Sequence, residues 1–88
     1  MKNLFLLLLL FTTSFASDTV HFKSQIVGIE IACERNVATA CFEYGVLLEK
    51  GLGVKKNIKM AKSFYIKACN NGYDEACITL ERLEAQQL

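Results

Sequence analysis

Apolar residues recur every three or four positions along three segments of the chain, 37–50, 58–70 and 74–87. This spacing is typical of one face of an α-helix. The residues that carry it are Val37, Ala40, Cys41, Tyr44, Leu47 and Leu48 in the first segment, Ala61, Phe64, Tyr65, Ala68 and Cys69 in the second, and Ala76, Cys77, Leu80 and Leu83 in the third. Segment 20–32 has a weaker pattern that Gly28 interrupts. The chain is therefore predicted to be all-α, with about four helices.

Glycine and asparagine mark the breaks between the predicted helices. Gly51 and Gly53 follow segment 37–50, where glycine can take the left-handed conformation that closes a helix. Asn57 is a favourable N-cap for the next helix. Asn36 and Gly72 mark two tight corners, because Asn and Gly tolerate positive φ most readily. Connections this short join antiparallel neighbours.

Two stretches, ACERNVATAC at 32–41 and ACNNGYDEAC at 68–77, have Ala and Cys in the same four places and lie 36 residues apart. Each contains a helix end, a tight corner and the first turns of the next helix. A cysteine on the last turn of one helix and another about one turn into its antiparallel neighbour can bring their Cα atoms to within roughly 6 Å. We therefore predict two disulfides, Cys33–Cys41 and Cys69–Cys77.

Zinc binding and reactive thiols are the alternatives for these four cysteines. Zinc sites usually combine cysteines about two to four residues apart with histidine. The only histidine, His21, lies well away in sequence, so structural disulfides are favoured and no metal or other cofactor is predicted. Each closed loop contributes about 2.5 kcal/mol in the chain-entropy model, which is a large share of the stability of so small a domain.

The first sixteen residues have the composition of a cleaved signal peptide. Residues 1–3 are a short basic start, residues 4–11 are an unbroken apolar run, and residues 14–16 (SFA) supply the small side chains that a signal peptidase requires. A membrane anchor is the alternative, but eight apolar residues in a helix span about 12 Å, against roughly 30 Å of hydrocarbon. We predict a secreted or periplasmic protein without membrane contact after cleavage, in a compartment where disulfides persist.

The charges left after cleavage are balanced. Chain 17–88 has nine basic and nine acidic side chains, because Lys2 is lost with the leader. Nucleic acid is therefore not an expected partner, since binding to phosphate backbones depends on clustered positive charge. The basic run consists of Lys55, Lys56, Lys59 and Lys62. Such a run is usually a solvated face, and the alternative is contact with an acidic partner or a ligand carboxylate.

Residues 40–57, continued by 59–62 and 65–69, resemble a Sel1-like repeat, a relative of the tetratricopeptide repeat. The shared pattern is a mid-helix glycine, a Gly-x-Gly-Val corner, and then Lys-Ala and Tyr-x-Lys-Ala, with Met60 in a variable place. The period and the cysteine interval are similar to those of a secreted cysteine-rich subgroup, the Helicobacter cysteine-rich proteins. The resemblance implies a short α/α solenoid of antiparallel helix pairs.

The resemblance also implies a division of the chain. After the signal peptide (1–16), it gives a degenerate N-terminal half repeat (17–32), a complete repeat (33–68) and a C-terminal half repeat or cap (69–88). The last helix has Glu81, Arg82 and Glu84 where its forerunner has Gly45, Val46 and Leu48. A polar outer face of this kind is what the end of a repeat stack requires.

Gly45 needs a packing reason. A glycine inside a helix costs about 1 kcal/mol relative to alanine. We predict a close crossing of Gly45 with the helix that holds Ala61, which would supply that reason.

The preferred interpretation of the function is a protein or peptide interaction module, with a partner in the cell envelope. The first helix of the repeat is expected to present Glu43, Tyr44 and Leu47. Tyr44, Tyr65 and Tyr73 could anchor such a contact, as Tyr is enriched in binding hot spots. For Tyr44 and Tyr65 the favoured interpretation is a core position with a solvated hydroxyl.

The runner-up function comes from the resemblance alone, because the cysteine-rich subgroup is described as penicillin-binding proteins or β-lactamases. A β-lactam or a peptidoglycan-like peptide would then be the ligand. Serine acyl-enzymes of the usual kind carry Ser-x-x-Lys, and no serine here has a lysine three residues later. Ser63, four residues before Lys67, is the one candidate nucleophile, so the catalytic residues stay unknown. A third interpretation is a non-functional remnant of a longer array.

Overall fold

The computed structural model describes residues 18–86, with side chains described from Phe22 onward. This part of the chain contains four helices, α1 (Asp18–Glu34), α2 (Ala38–Lys50), α3 (Ile58–Asn70) and α4 (Asp74–Gln86), and no strand. The all-α prediction with about four helices is confirmed. The predicted signal peptide and the side chain of His21 lie outside the described residues. No helix within residues 18–86 is long and apolar enough to cross a membrane.

Helix α1 differs from its prediction, because it runs through Gly28 without a break. A side chain at Gly28 would meet nothing within 4 Å, so this glycine lies on the outer side of the helix. The opposite side buries Ile26 and Cys33. A single glycine costs a helix about 1 kcal/mol, and the packing of this buried side outweighs that cost.

The helices are packed in chain order, with α2 against α1 and α3, and α3 also against α4. Two groups of buried side chains hold them together. One group lies at the end of the molecule that contains the turns at Asn36 and Gly72, called the corner end below, and consists of Cys33, Ala40, Cys41, Ala68 and Ala76. The group at the other end consists of Leu48, Ala61, Tyr65 and Leu83. Alanines occupy many of these positions, so the helix backbones can approach each other closely.

The two corners have the same hydrogen-bonding pattern. Each ends its helix with a residue at positive φ, Asn36 at 66° and Gly72 at 95°. The bonds are Asn36 N–H to Cys33 O (2.9 Å) and Val37 N–H to Ala32 O (3.0 Å) in the first corner, and Gly72 N–H to Cys69 O (3.0 Å) and Tyr73 N–H to Ala68 O (3.0 Å) in the second. This pair of bonds defines a Schellman motif, which turns the chain back along the preceding helix.

A disulfide spans each corner. Cys33 pairs with Cys41 and Cys69 pairs with Cys77, at Cα–Cα distances of 4.6 and 4.9 Å. Both distances lie in the usual range for disulfides, and the pairing is the one predicted. The two bonds differ in burial, because Cys33 and Cys41 are fully buried whereas Cys69 and Cys77 are half-buried.

The loop between α2 and α3 lies against the start of α1. Asn57 caps α3 by accepting a hydrogen bond from Met60 N–H at 3.0 Å, as predicted for an N-cap. Gly53 has φ 74° and lies so close to Phe22 and Ile26 that a Cβ atom there would overlap both side chains. The contact fixes this loop beside α1, and the helix periodicity gave no indication of it.

Gly45 lies at a close crossing of α2 and α3. A Cβ atom at this position would come within 2.6 and 2.7 Å of two ring atoms of Tyr65. The predicted crossing with the helix that holds Ala61 is therefore present, and the residue that requires the glycine is Tyr65. Its ring is fully buried.

Candidate interaction surface

One side of α2 is not covered by the other helices. Its exposed residues are Thr39, Glu43 and Lys50, with Val46 and Leu47 half-buried beside them. Of the positions 36 residues later on α4, Glu75, Thr79, Arg82 and Gln86 are exposed or half-buried, whereas Leu83 is buried. We call the exposed and half-buried residues of both sets together the α2–α4 face. It combines residues of two helices that lie 36 positions apart in the sequence.

Tyr73 begins the α4 part of this face. Its ring stacks on Phe42 of α2, with centroids 5.0 Å apart and planes 20° apart. Its hydroxyl donates a hydrogen bond to Glu75 Oε2 at 2.8 Å. That bond, then desolvation and the charges of Glu75 and Glu43, raise the pKa of Tyr73. The corner end of the face therefore combines an aromatic ring with two carboxylates.

The other two tyrosines belong to the core. Tyr44 is half-buried and packs edge-on against Phe64 of α3, with centroids 4.7 Å apart. Burial and the charge of Glu30 raise the pKa of Tyr44. Tyr65 is fully buried. Of the three residues expected to face a partner, Glu43 is exposed and Leu47 partly so, whereas Tyr44 is turned toward the junction of α2 with α3.

A polar network joins α2, α3 and α4 beside the same face. Tyr65 donates a hydrogen bond to Glu49 Oε1 at 2.8 Å. Arg82 Nη2 donates to both oxygens of Glu49, at 3.0 and 3.2 Å. Burial, the hydrogen bond to Glu49 and the charge of Glu49 raise the pKa of Tyr65, and the charge of Arg82 opposes them. Its hydroxyl was expected to be solvated, but it is satisfied within the protein.

Raising the pH above 10 is expected to weaken the fold through Tyr65. Its pKa is higher in the folded chain than the ordinary 10.0, so its stabilisation is fully present below pH 10.0 and is lost as the pH rises from there. Tyr65→Phe should cost about 1 kcal/mol at neutral pH and flatten the loss above pH 10. Urea unfolding at a series of pH values measures both effects. Tyr73→Phe is the comparison: the pKa of Tyr73 is also raised, but its hydroxyl bonds only a neighbour two residues away, so this change should flatten the loss less. A Tyr65→Phe slope as steep as the wild type's would contradict this assignment.

Ser63 is exposed on α3, on a different side from the α2–α4 face. Its hydroxyl donates a hydrogen bond to the main-chain carbonyl of Lys59 at 3.4 Å, within its own helix. Residues 18–86 contain no detected pocket and no group of three or more His, Cys, Asp or Glu side chains placed to hold a metal ion. All the cysteines of this part are in disulfides.

The family model of the Sel1 repeat matches residues 38–73. The match starts with α2, includes the Gly-Leu-Gly loop and α3, and ends at the corner before α4. No curated protein and no solved structure matches the chain significantly. Residues 38–73 of this chain are therefore similar to a Sel1 repeat.

Proposed function

We propose that this chain is an extracytoplasmic module that binds a protein or peptide through the α2–α4 face. Sel1 repeats commonly mediate protein interactions, and stacked helix pairs use their open surfaces for binding. The observation that carries the proposal is the uncovered side of α2 within the matched repeat, where Glu43 and Leu47 face solvent fully or in part.

The chemistry of the face favours a basic segment as the partner. Glu43 and Glu75 are both exposed, and the Tyr73 ring between them is held by Phe42. Carboxylates bind Lys and Arg side chains, and a tyrosine ring offers a cation a favourable face. Because the ring is already fixed by stacking, a partner would lose little additional side-chain entropy here.

We infer the same division of the chain as the sequence suggested, with 33–68 as the complete unit between two half repeats. Supporting it, Glu81 and Glu84 are exposed on the outer side of α4. Arg82, which replaces a packing valine of the preceding unit, instead binds Glu49. These features support α4 as a terminal cap.

One observation supports export. The cysteines of residues 18–86 are all oxidised, and disulfides of this kind persist in extracytoplasmic compartments. The test is fractionation of cells that produce the full chain, followed by intact-mass measurement and thiol alkylation. Export predicts a chain that begins at Ser17 and has no reactive thiol. A cytosolic chain with free cysteines would refute this part of the proposal.

Site-specific cross-linking in cells tests the binding face. A photoreactive benzoylphenylalanine at position 43 is expected to give an adduct, whereas the same group at position 63, also exposed but on α3, is expected to give none. With the partner identified, Glu43→Lys should weaken its binding about tenfold, because a favourable charge contact becomes repulsive. Equal adducts from positions 43 and 63 would show that the face is not the binding site.

β-Lactam hydrolysis or binding is the alternative function that the resemblance to the cysteine-rich subgroup implies. In the described part of the chain no observation favours it over an interaction role. Hydrolysis of a chromogenic β-lactam by the folded, oxidised chain is the measurement that decides it. Turnover that Ser63→Ala abolishes would make the chain a serine hydrolase and would displace the interaction module as its main function.

A further inference from the structure

The end of the molecule opposite the disulfide corners has a distinct composition. The start of α1, the end of α2, the following loop and the first turn of α3 meet there. We call the exposed residues of this region the basic end, and they are Phe22, Lys23, Lys50, Leu52, Lys55, Lys56 and Lys59. It is separate from the acidic corner end of the α2–α4 face.

The apolar part of the basic end protrudes at the tip of a loop. Leu52 is 47% exposed and stands between Gly51 and Gly53, both at positive φ. Phe22 is 45% exposed and lies directly against Gly53. Both large apolar side chains are therefore exposed at the same loop, Leu52 within it and Phe22 against Gly53. They do not line a pocket, since none is detected within residues 18–86.

The charged part of the basic end surrounds this tip. Lys56 packs its Cβ next to Gly51, Lys50 precedes Gly51, and Lys23 follows Phe22. None of the five lysines forms an ion pair within residues 22–86. Glu49, the acidic neighbour on α2, is already bound by Arg82. The positive charge at this end is therefore available to an external anion.

The basic end has five exposed lysines against the exposed Glu81 and Glu84 on the last turns of α4, whereas acidic side chains predominate at the corner end. Glu34, Glu43, Asp74 and Glu75 are all exposed near the two corners. The balanced net charge of the exported chain thus hides a separation of charge along the helices. A negatively charged surface would attract the basic end and repel the corner end, so it would orient the molecule.

We propose that the basic end docks on the surface of a bilayer that contains anionic phospholipids. The lysines contact the headgroups, and Leu52 with Phe22 enters the interface. Exposed apolar side chains interleaved with lysines are what binding at such a surface requires. A protein partner is less well matched, since Lys is depleted in protein interfaces and hot spots favour Trp, Tyr and Arg.

Docking of this kind is peripheral and needs no membrane-crossing helix. It departs from the expectation that the exported chain makes no membrane contact. In the docked orientation the acidic part of the α2–α4 face points away from the lipid and stays open to a protein.

Vesicle co-sedimentation tests the proposal with the exported, oxidised chain and two matched pairs of variants. The vesicles are phosphatidylcholine with or without about 30% phosphatidylglycerol. Lys55→Gln/Lys59→Gln should weaken binding to the anionic vesicles about tenfold or more. Arg35→Gln/Lys67→Gln, which removes the same charge at the corner end, should leave binding within about twofold of the wild type.

The second pair tests the apolar tip. Leu52→Ser should weaken binding about fivefold, because the side chain no longer enters the interface. Ile78→Ser changes the 66% exposed Ile78 at the corner end and should have no effect. Circular dichroism and thiol alkylation confirm that each variant is folded and oxidised.

Three results would overturn the proposal. The first is the absence of binding to anionic vesicles by the folded wild-type chain. The second is an equal loss of binding in Lys55→Gln/Lys59→Gln and in Arg35→Gln/Lys67→Gln, which would indicate that binding depends on net charge alone. The third is binding to an acidic protein that Leu52→Ser leaves intact, without binding to vesicles, which would assign the basic end to a protein partner.

Discussion

Replacing Cys33 and Cys41 with alanine is expected to destabilise the chain more than the same replacement of Cys69 and Cys77. Both disulfides close loops of equal length, so each loss costs about 2.5 kcal/mol in the chain-entropy model. Cys33 and Cys41 are also fully buried, and the space left by their sulfur atoms should add about 1 kcal/mol. Loss of both disulfides approaches the whole stability of a small domain, so the reduced chain should lose its helices.

Denaturant unfolding of the two double variants and of the reduced wild type, followed by circular dichroism, measures these differences. Mild reduction gives a second readout, because a thiol reagent reaches a half-buried disulfide more easily than a buried one. Mass mapping of partly reduced chain should therefore find Cys69 and Cys77 alkylated first. Equal stabilities of the two double variants, or Cys33 alkylated first, would contradict the role given to burial.

Gly45→Ala is expected to lower the free energy of unfolding by about 1 to 3 kcal/mol, although alanine is the better helix former. Helix propensity alone would raise the stability by about 1 kcal/mol. The new methyl group, however, would lie 2.6 Å from the ring of Tyr65. That ring is fully buried and tied to Glu49 by its hydroxyl, so it has little room to move.

Gly28→Ala is the matched control for this prediction. Gly28 also lies inside a helix, but a Cβ atom there meets nothing within 4 Å. The same substitution should therefore stabilise the chain by about 0.5 to 1 kcal/mol. Opposite signs at the two positions, measured by urea unfolding, are the expected result. A stabilising Gly45→Ala would mean that the Tyr65 ring can shift and that the crossing of α2 and α3 does not need the glycine.

The local features of the fold were predictable because they depend on neighbours in sequence. The bounds of α3 agree with the predicted segment 58–70, and those of α2 and α4 differ from their segments by one residue. The corners followed from Asn36 and Gly72, since few residues tolerate positive φ. Once the corners were placed, the cysteine spacing left one geometrically simple pairing.

The features that depend on three helices at once were not predictable in the same way. The network of Glu49, Tyr65 and Arg82 joins residues as far as 33 positions apart, and each of them alone resembles an ordinary surface or core residue. The contact of Gly53 with Phe22 has the same origin. Hydrophobic periodicity assigns a residue to a face of its own helix, but it does not say which residue of another element lies opposite.

The position of the disulfides relative to the repeat has a consequence for how the molecule opens. The bonds join α1 to α2 and α3 to α4. In the proposed division of the chain, each of them links the last helix of one unit to the first helix of the next. In most repeat proteins these joints are noncovalent, so end units fray independently of the middle. Here neither end helix can leave without its neighbour. The helices that unfold together are therefore expected to be the covalently joined pairs, α1 with α2 and α3 with α4. The repeat unit proposed from the sequence, in contrast, consists of α2 and α3.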